Sequence, residues 1–227
     1  MRITYLEHSG YFLEEEDIIL IFDYYKGRLP DMPKEKRIYV FASHAHYDHF
    51  DQCIFEWADR YPRLQYILSD DIKARGPEGK IFYIGARQAI QVDELKIRTL
   101  RSTDEGVAFF VRLNGKLIYH AGDLNWWHWE EEGEIYNKMM RRVYQHEIGK
   151  IEGERIDVAF VPLDPRLGEQ YYWGMDYFVK HTDTRCVFPM HMCGEYDVYE
   201  KLMKESDAVE YKDRVMKVTK PGQTFEV

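Results

Sequence analysis

The chain has 227 residues, 45% of them hydrophobic and 15% aromatic, enough for a sizeable core and too apolar to stay disordered. Lysine and arginine total 31 against 40 aspartate and glutamate; the resulting charge of −9 disfavours phosphate backbones and anionic membranes as partners. Three cysteines, the lack of any apolar run near the roughly 18 residues of a bilayer span, and a polar start (Met1-Arg2-Ile3-Thr4) argue against a disulfide scaffold, a membrane helix and a secretory leader, so a reduced, cytoplasmic setting is expected.

No repeat, low-complexity tract or linker divides the sequence, and a single domain over residues 1–227 is expected. In chain order, residues 2–6, 11–14 and 18–22 have the pattern of strands, with the acidic run 14–17 as a solvated turn, and residues 36–42 form a further apolar strand. Residues 50–61 carry apolar side chains at helical spacing and stop at Pro62. Short apolar runs follow at 65–68, 80–84, 95–100, 107–113 and 116–119, the last two joined by Asn114-Gly115, the pair suited to a two-residue hairpin. Helices are predicted at 134–151, 170–181 and 196–206, and strands at 156–161, 185–188, 214–218 and 224–227. Strands dominate both halves and helices do not alternate strictly with them, a pattern that predicts two mixed sheets with helices outside.

The most informative segment is Ser43-His44-Ala45-His46-Tyr47-Asp48-His49, between a strand and a helix. In an extended loop, residues i and i+2 project to one side, so His44 and His46 are placed to grip one cation. Asp48 and His49, where the chain turns into the helix, are placed for a second, although Asp48 or Asp51 must also cap that helix. Imidazole and carboxylate together suit zinc, iron or manganese.

These residues resemble the HxHxDH signature of the metallo-β-lactamase superfamily, and the resemblance continues along the chain. Ile118-Tyr119-His120-Ala121-Gly122-Asp123 is similar to the strand-end motif whose aspartate bridges two metals. Val187-Phe188-Pro189-Met190-His191 is similar to the late strand that ends in a metal-binding histidine. Leu6-Glu7-His8-Ser9-Gly10-Tyr11 and Leu20-Ile21-Phe22-Asp23 resemble the amino-terminal hairpin of the RNase Z-like and UlaG-like branches. The resemblance implies an α/β chain folded as a four-layer αββα sandwich, with one or two metal ions held by His44, His46, Asp48, His49, Asp123 and His191. Zinc is the expected ion, with iron or manganese as alternatives. Asp123 occupies a position where zinc β-lactamases usually have cysteine, which argues against a true β-lactamase. The family also places a ligand histidine after the strand at 95–100, where this chain reads Arg101-Ser102-Thr103-Asp104-Glu105-Gly106. Asp104 is the expected replacement, with Glu105 and His128 as the other candidates; the alternative is a weak or empty first site.

Four further positions complete the reading. His8 is expected near the metals or the substrate, and Asp23 is placed to orient a ligand imidazole. Trp126, within Asn125-Trp126-Trp127-His128-Trp129, is expected to wall a substrate pocket, or else this stretch is a helix packing its aromatic face on the core. Arg166 is placed to clamp an anionic substrate group or to pair with a neighbouring carboxylate. The implied activity is that of a metal-dependent hydrolase of small esters, lactones or phosphodiesters, with Asp48 and Asp123 handling the attacking water. The rival readings are an iron-dependent oxidoreductase and a non-catalytic metal or ligand binder. A small-molecule substrate is the expected partner, without nucleic acid or membrane.

Overall fold

Apolar runs bounded by turn residues become thirteen strands in two mixed sheets in the computed structural model, which describes residues 1–227. The chain gathers into two compact units, residues 1–85 with 220–227 and residues 86–219. No helix in either is long and apolar enough to cross a membrane.

The first unit holds β1 (Arg2–Glu7), β2 (Gly10–Glu15), β3 (Ile18–Phe22), β4 (Arg37–Ala42), β5 (Leu64–Ser69) and β6 (Ile81–Ile84), and the last strand of the chain, β13 (Thr224–Glu226). Its seven strands lie in the order β13-β1-β2-β3-β4-β5-β6. The pairs from β13 to β3 are antiparallel and those from β3 to β6 are parallel. β3 is buried along its whole length, as expected of a strand covered on both faces. One face packs Ile19, Ile21, Ile38, Val40, Tyr66 and Leu68 against Ile54 and Trp57 of the 3₁₀ helix Gln52–Asp59.

The second unit holds β7 (Ala89–Val92), β8 (Leu95–Arg101), β9 (Val107–Leu113), β10 (Lys116–His120), β11 (Arg155–Pro162) and β12 (Asp183–Met190) in the order β12-β11-β10-β9-β8-β7. Here β10, β11 and β12 are mutually parallel and the remaining pairs are antiparallel. The helices are α1 (Glu134–Ile148), α2 (Trp173–His181) and α3 (Val198–Leu202). α2 packs on β11 and β12, with Phe178 stacked on Tyr119 of β10 at 4.8 Å. Only glycine fits at position 174, because a Cβ there would lie 1.8 Å from Asn125 Oδ1.

The two units share a design. Each aligns the carboxyl ends of three adjacent parallel strands, the edge where open α/β sheets place their chemistry. Asp23, Ser43 and Asp70 follow β3, β4 and β5; Asp123, Asp164 and His191 lie just beyond β10, β11 and β12.

The hairpin at Asn114-Gly115 forms as expected, with φ of 49° and 79° at the two positions. Other boundaries differ from the sequence pattern for local reasons. The helix expected at 50–61 is the shorter 3₁₀ helix, because Phe50 N is held by His46 O (3.0 Å) and Asp51 makes the cap to Cys53 N (2.7 Å). The helix expected from 170 starts at Trp173, since residues 165–170 form a 3₁₀ stretch interrupted at Gly168, where φ is 61°. The one expected at 196–206 shrinks to α3. No strand forms at 214–218, where a 3₁₀ turn at Lys212–Arg214 leaves a single bridge between Val187 and Val215. β7 was not legible in the sequence, because only Val92 of this edge strand is buried. Residues 126–129 are not helical; they form a loop tied down by Asn137, which accepts from Trp129 N (3.1 Å) and donates to Trp129 O (2.8 Å).

Candidate metal centre

In the first unit, β4 delivers Ser43 and His44 into a tight loop. His49 N and Phe50 N both bond His46 O at 3.0 Å, and Asp71 Oδ2 accepts from Ala45 N at 2.8 Å. His44 and His49 are buried, Asp48 is half-buried and His46 is exposed. His44 Nε2 lies 3.0 Å from His46 Nδ1. Two nitrogens each about 2.0–2.1 Å from one cation, at ligand angles of roughly 90–110°, sit about 2.9–3.4 Å apart, so this pair has the spacing of a chelate.

Asp23 decides which nitrogens face that position. It is fully buried at the end of β3 and accepts from Ser43 N (2.7 Å), Ser43 Oγ (2.7 Å) and His49 Nδ1 (2.7 Å). A carboxylate only accepts, so His49 carries its proton on Nδ1 and presents Nε2 as the basic nitrogen. The Ser43 hydroxyl gives its one proton to Asp23 and therefore accepts from His44 Nδ1 at 3.0 Å. That places the lone pair of His44 on Nε2, the atom facing His46. One buried carboxylate thus sets the tautomers of two imidazoles, an arrangement common behind metal ligands. His8 lies alongside, its ring edge-on to His49 (centroids 5.5 Å) and its Nε2 3.4 Å from Asp48 Oδ2.

The second unit repeats this logic with other residues. Asp123 follows β10 through a turn closed by Leu124 N to Ala121 O (2.9 Å), and its Oδ1 lies 2.8 Å from His191 Nε2. Its loop is anchored by Thr103, whose hydroxyl donates to Asn125 O (2.6 Å) and accepts from Asn125 N (2.9 Å). Thr103 carried no sequence signal as a site residue; the hydroxyl reaches a segment 22 positions away. The adjoining Asp104 is exposed and offers a carboxylate oxygen within 4.8 Å of one from Asp123, the spacing expected of two oxygens on one cation or on neighbouring ones. Glu105 is exposed on the same turn. His128 is instead edge-on to Trp173 (5.0 Å) and lines, with Trp126, Asn137 and Arg141, a cavity of about 460 Å³ that contains none of this unit's other candidate ligands. The indole beside His191 is that of Trp127, at 5.7 Å, with its Nε1 donating to Asp123 O at 3.0 Å. Trp126 faces Trp173 (5.3 Å) and the cavity. His120, buried, is structural: its Nδ1 accepts from Gly122 N at 3.1 Å.

Arg166 pairs with Asp164, its Nε donating to both carboxylate oxygens at 2.9 and 3.1 Å and its second terminal nitrogen to Oδ2. Burial raises the Asp164 carboxyl, but the hydrogen bonds from Arg166 and the nearby His191 imidazole outweigh it and hold the group below the usual carboxylate range.

Three of the eight non-glycine residues with positive φ stand at these positions. His8, Asp23 and His191 each stand one residue past the end of a strand with φ of 52°, 44° and 63°. A non-glycine residue in the left-handed region costs about 1 kcal/mol or more and persists only where surrounding contacts enforce it. Here the turn swings each side chain off the strand end, and Asp23 is compensated by its three hydrogen bonds.

A family model, described as a beta-lactamase superfamily domain, matches residues 2–191, from β1 through His191. The chain belongs to the beta-lactamase superfamily. It is similar to a metal-dependent hydrolase from Pelotomaculum thermopropionicum, 24% identical over an alignment of 257 positions that spans all of both chains. Among solved structures, it is similar to a metallo hydrolase from the archaeon Ignicoccus hospitalis, with a TM-score of 0.65 and 20% identity over 100% of this chain and 98% of that one. It is also similar to the metallo-beta-lactamase fold protein YhfI from Bacillus subtilis, with a TM-score of 0.63 and 15% identity over 99% of each. The metallo-β-lactamase fold expected from the motifs is the fold of this superfamily member.

Proposed function

We propose that this chain is a metal-dependent hydrolase and that its whole length works as one domain, as the family match across both units supports. The observation that carries the reading is the pairing of His44 Nε2 with His46 Nδ1 at 3.0 Å, with the His44 tautomer set through Ser43 by a buried carboxylate. A structural histidine pair has no need of such a relay; a cation-binding pair does. When bound, zinc, iron or manganese supplies Lewis-acid polarisation of the scissile group and acidifies water.

Within this reading, His44 and His46 hold the first ion with Asp104, whose carboxylate oxygen replaces an imidazole nitrogen. Asp48, His49 and His191 hold the second, and Asp123 serves both. Asp48 and Asp123 orient the attacking water and take its proton, His8 steadying Asp48 through the contact at 3.4 Å. The proposed substrate is a small ester, lactone or phosphodiester met in the cytoplasm, with Trp126 against its apolar part. The charge of −9 supports a compact substrate over nucleic acid or a membrane surface.

The test is elemental analysis of purified protein combined with a screen of generic esters, lactones and phosphodiesters, with and without chelator. Chelator-sensitive turnover with about one or two equivalents of zinc or manganese is the expected result. Protein without metal, or turnover indifferent to chelator, refutes it. Iron with oxygen-dependent chemistry and no hydrolysis would favour the oxidoreductase reading.

A further inference from the structure

Arg166 was expected either to clamp an anionic substrate group or to pair with a carboxylate, and its guanidinium is engaged within the protein. Its fork lies along one edge of Asp164 through Nε (2.9 and 3.1 Å) and a terminal nitrogen, while its backbone N donates to Asp164 Oδ1 at 3.0 Å. Asp164 is fully buried, and its Oδ2 lies 3.5 Å from His191 Nδ1. On its other side, His191 turns Nε2 toward Asp123 Oδ1 at 2.8 Å. The imidazole packs against Trp127, which lies parallel to Trp129 (6.0 Å, 5°), and the Arg166 guanidinium stands 5.8 Å from the Trp129 ring. These contacts close a ring of five side chains: Arg166, Asp164, His191, Trp127 and Trp129.

We propose that Arg166 is a positioning residue for His191, acting through Asp164, with Trp129 holding the guanidinium in place. The backbone makes such support necessary. His191 sits past the end of β12 with φ of 63°, outside the strand geometry that would restrict its ring, so side-chain contacts must set the ring's orientation and tautomer. A carboxylate beside Nδ1, here at 3.5 Å, favours the tautomer that leaves Nε2 basic, as Asp23 does for His49 through a hydrogen bond of 2.7 Å in the other unit. Asp164 does this only if its own oxygens are held, and a bidentate guanidinium holds both where an ammonium holds one.

The consequence for metal binding rests on the proposed function; the orientation of the ring does not. The experiment therefore compares wild type with Arg166→Met, Arg166→Lys and Asp164→Asn. It reads the ¹⁵N signals of His191 in metal-free protein, zinc affinity by chelator competition, and kcat and KM for a neutral and an anionic ester sharing one acyl chain. The Arg166 side chain is 48% exposed, so Arg166→Met opens no buried cavity, and a thermal melt checks each fold. The expected result is a His191 spectrum that moves from one tautomer toward a mixture in Arg166→Met, with zinc affinity lower by about tenfold. Arg166→Lys should fall between, and kcat should drop while KM for the two esters moves together. Unchanged His191 signals and zinc affinity in Arg166→Met would overturn the proposal, whether or not KM rises for the anionic ester alone, the signature of a clamp. Failure of wild type to bind zinc would refute the metal reading separately, and the ¹⁵N signals would still decide the role of Arg166.

Discussion

Replacing Asp23 by asparagine preserves shape and inverts chemistry. The amide oxygen can still accept from Ser43 N, but its NH₂ now occupies the place of Oδ2, where the Ser43 hydroxyl and His49 Nδ1–H both donate at 2.7 Å. Two donors would then face a third, so His49 must shift its proton to Nε2 and Ser43 must turn its hydroxyl. Two charge-assisted bonds of about 1.5–3 kcal/mol each become neutral bonds of about 0.5–1.5 kcal/mol, a loss of roughly 2–3 kcal/mol in the metal-free protein. For a chain of this size, that lowers Tm by about 4–12 °C. The proton on His49 Nε2 also blocks the nitrogen assigned to the metal, so affinity should fall by about 10–100-fold, the usual effect of removing a carboxylate behind a ligand histidine. Chelator competition and ¹⁵N spectra of His49, with thermal melts of metal-free protein, measure all three quantities. Asp23→Asn protein with wild-type metal affinity and an unchanged His49 tautomer would refute the relay.

Four further outcomes are expected. Metal at about 100 times its Kd should stabilise wild type by roughly 2.7 kcal/mol, and His49→Ala or His191→Ala should remove much of the bound metal; identical elemental analysis would refute both assignments. Asp104→Ala should lower occupancy of one site only, and Asp104→His should restore it, with unchanged calorimetric isotherms leaving Asp104 outside the centre. Thr103→Val, which leaves Asn125 N and O without their shared hydroxyl, should cost about 1–3 kcal/mol in a denaturant melt and weaken binding at Asp123. Burial raises the Glu147 carboxyl, but hydrogen bonds from Arg87, Lys150 and Arg101 N outweigh it and hold it below its ordinary 4.5. Its contribution is thus present above pH 4.5 and lost as pH falls through the lower folded value, so Glu147→Gln should flatten the acid limb of stability against pH.

The local part of this protein was readable from residue order. The HxHxDH spacing, the strand-end positions of Asp23, Asp123 and His191, and the Asn114-Gly115 hairpin each depend on residues within a few positions of one another, where side-chain direction follows from backbone period. The superfamily was legible for the same reason, since its motifs recur at strand ends in fixed order. Helix limits were less so, because Phe50, Gly168 and Asp51 ended or delayed helices through hydrogen bonds and dihedrals that apolar spacing does not encode. What remained hidden were contacts between distant segments. Thr103 bonds a loop 22 positions away, Asp164 meets an imidazole 27 positions on, and Trp127 rather than Trp126 turns to His191. The contacts of His191 exist because β10, β11 and β12 lie parallel and end together, and Thr103 reaches its partner because β8 and β10 flank the antiparallel β9 and end at that same edge of the sheet. Periodicity specifies that each strand forms; register between strands, decided by packing of the whole core, specifies which side chains meet.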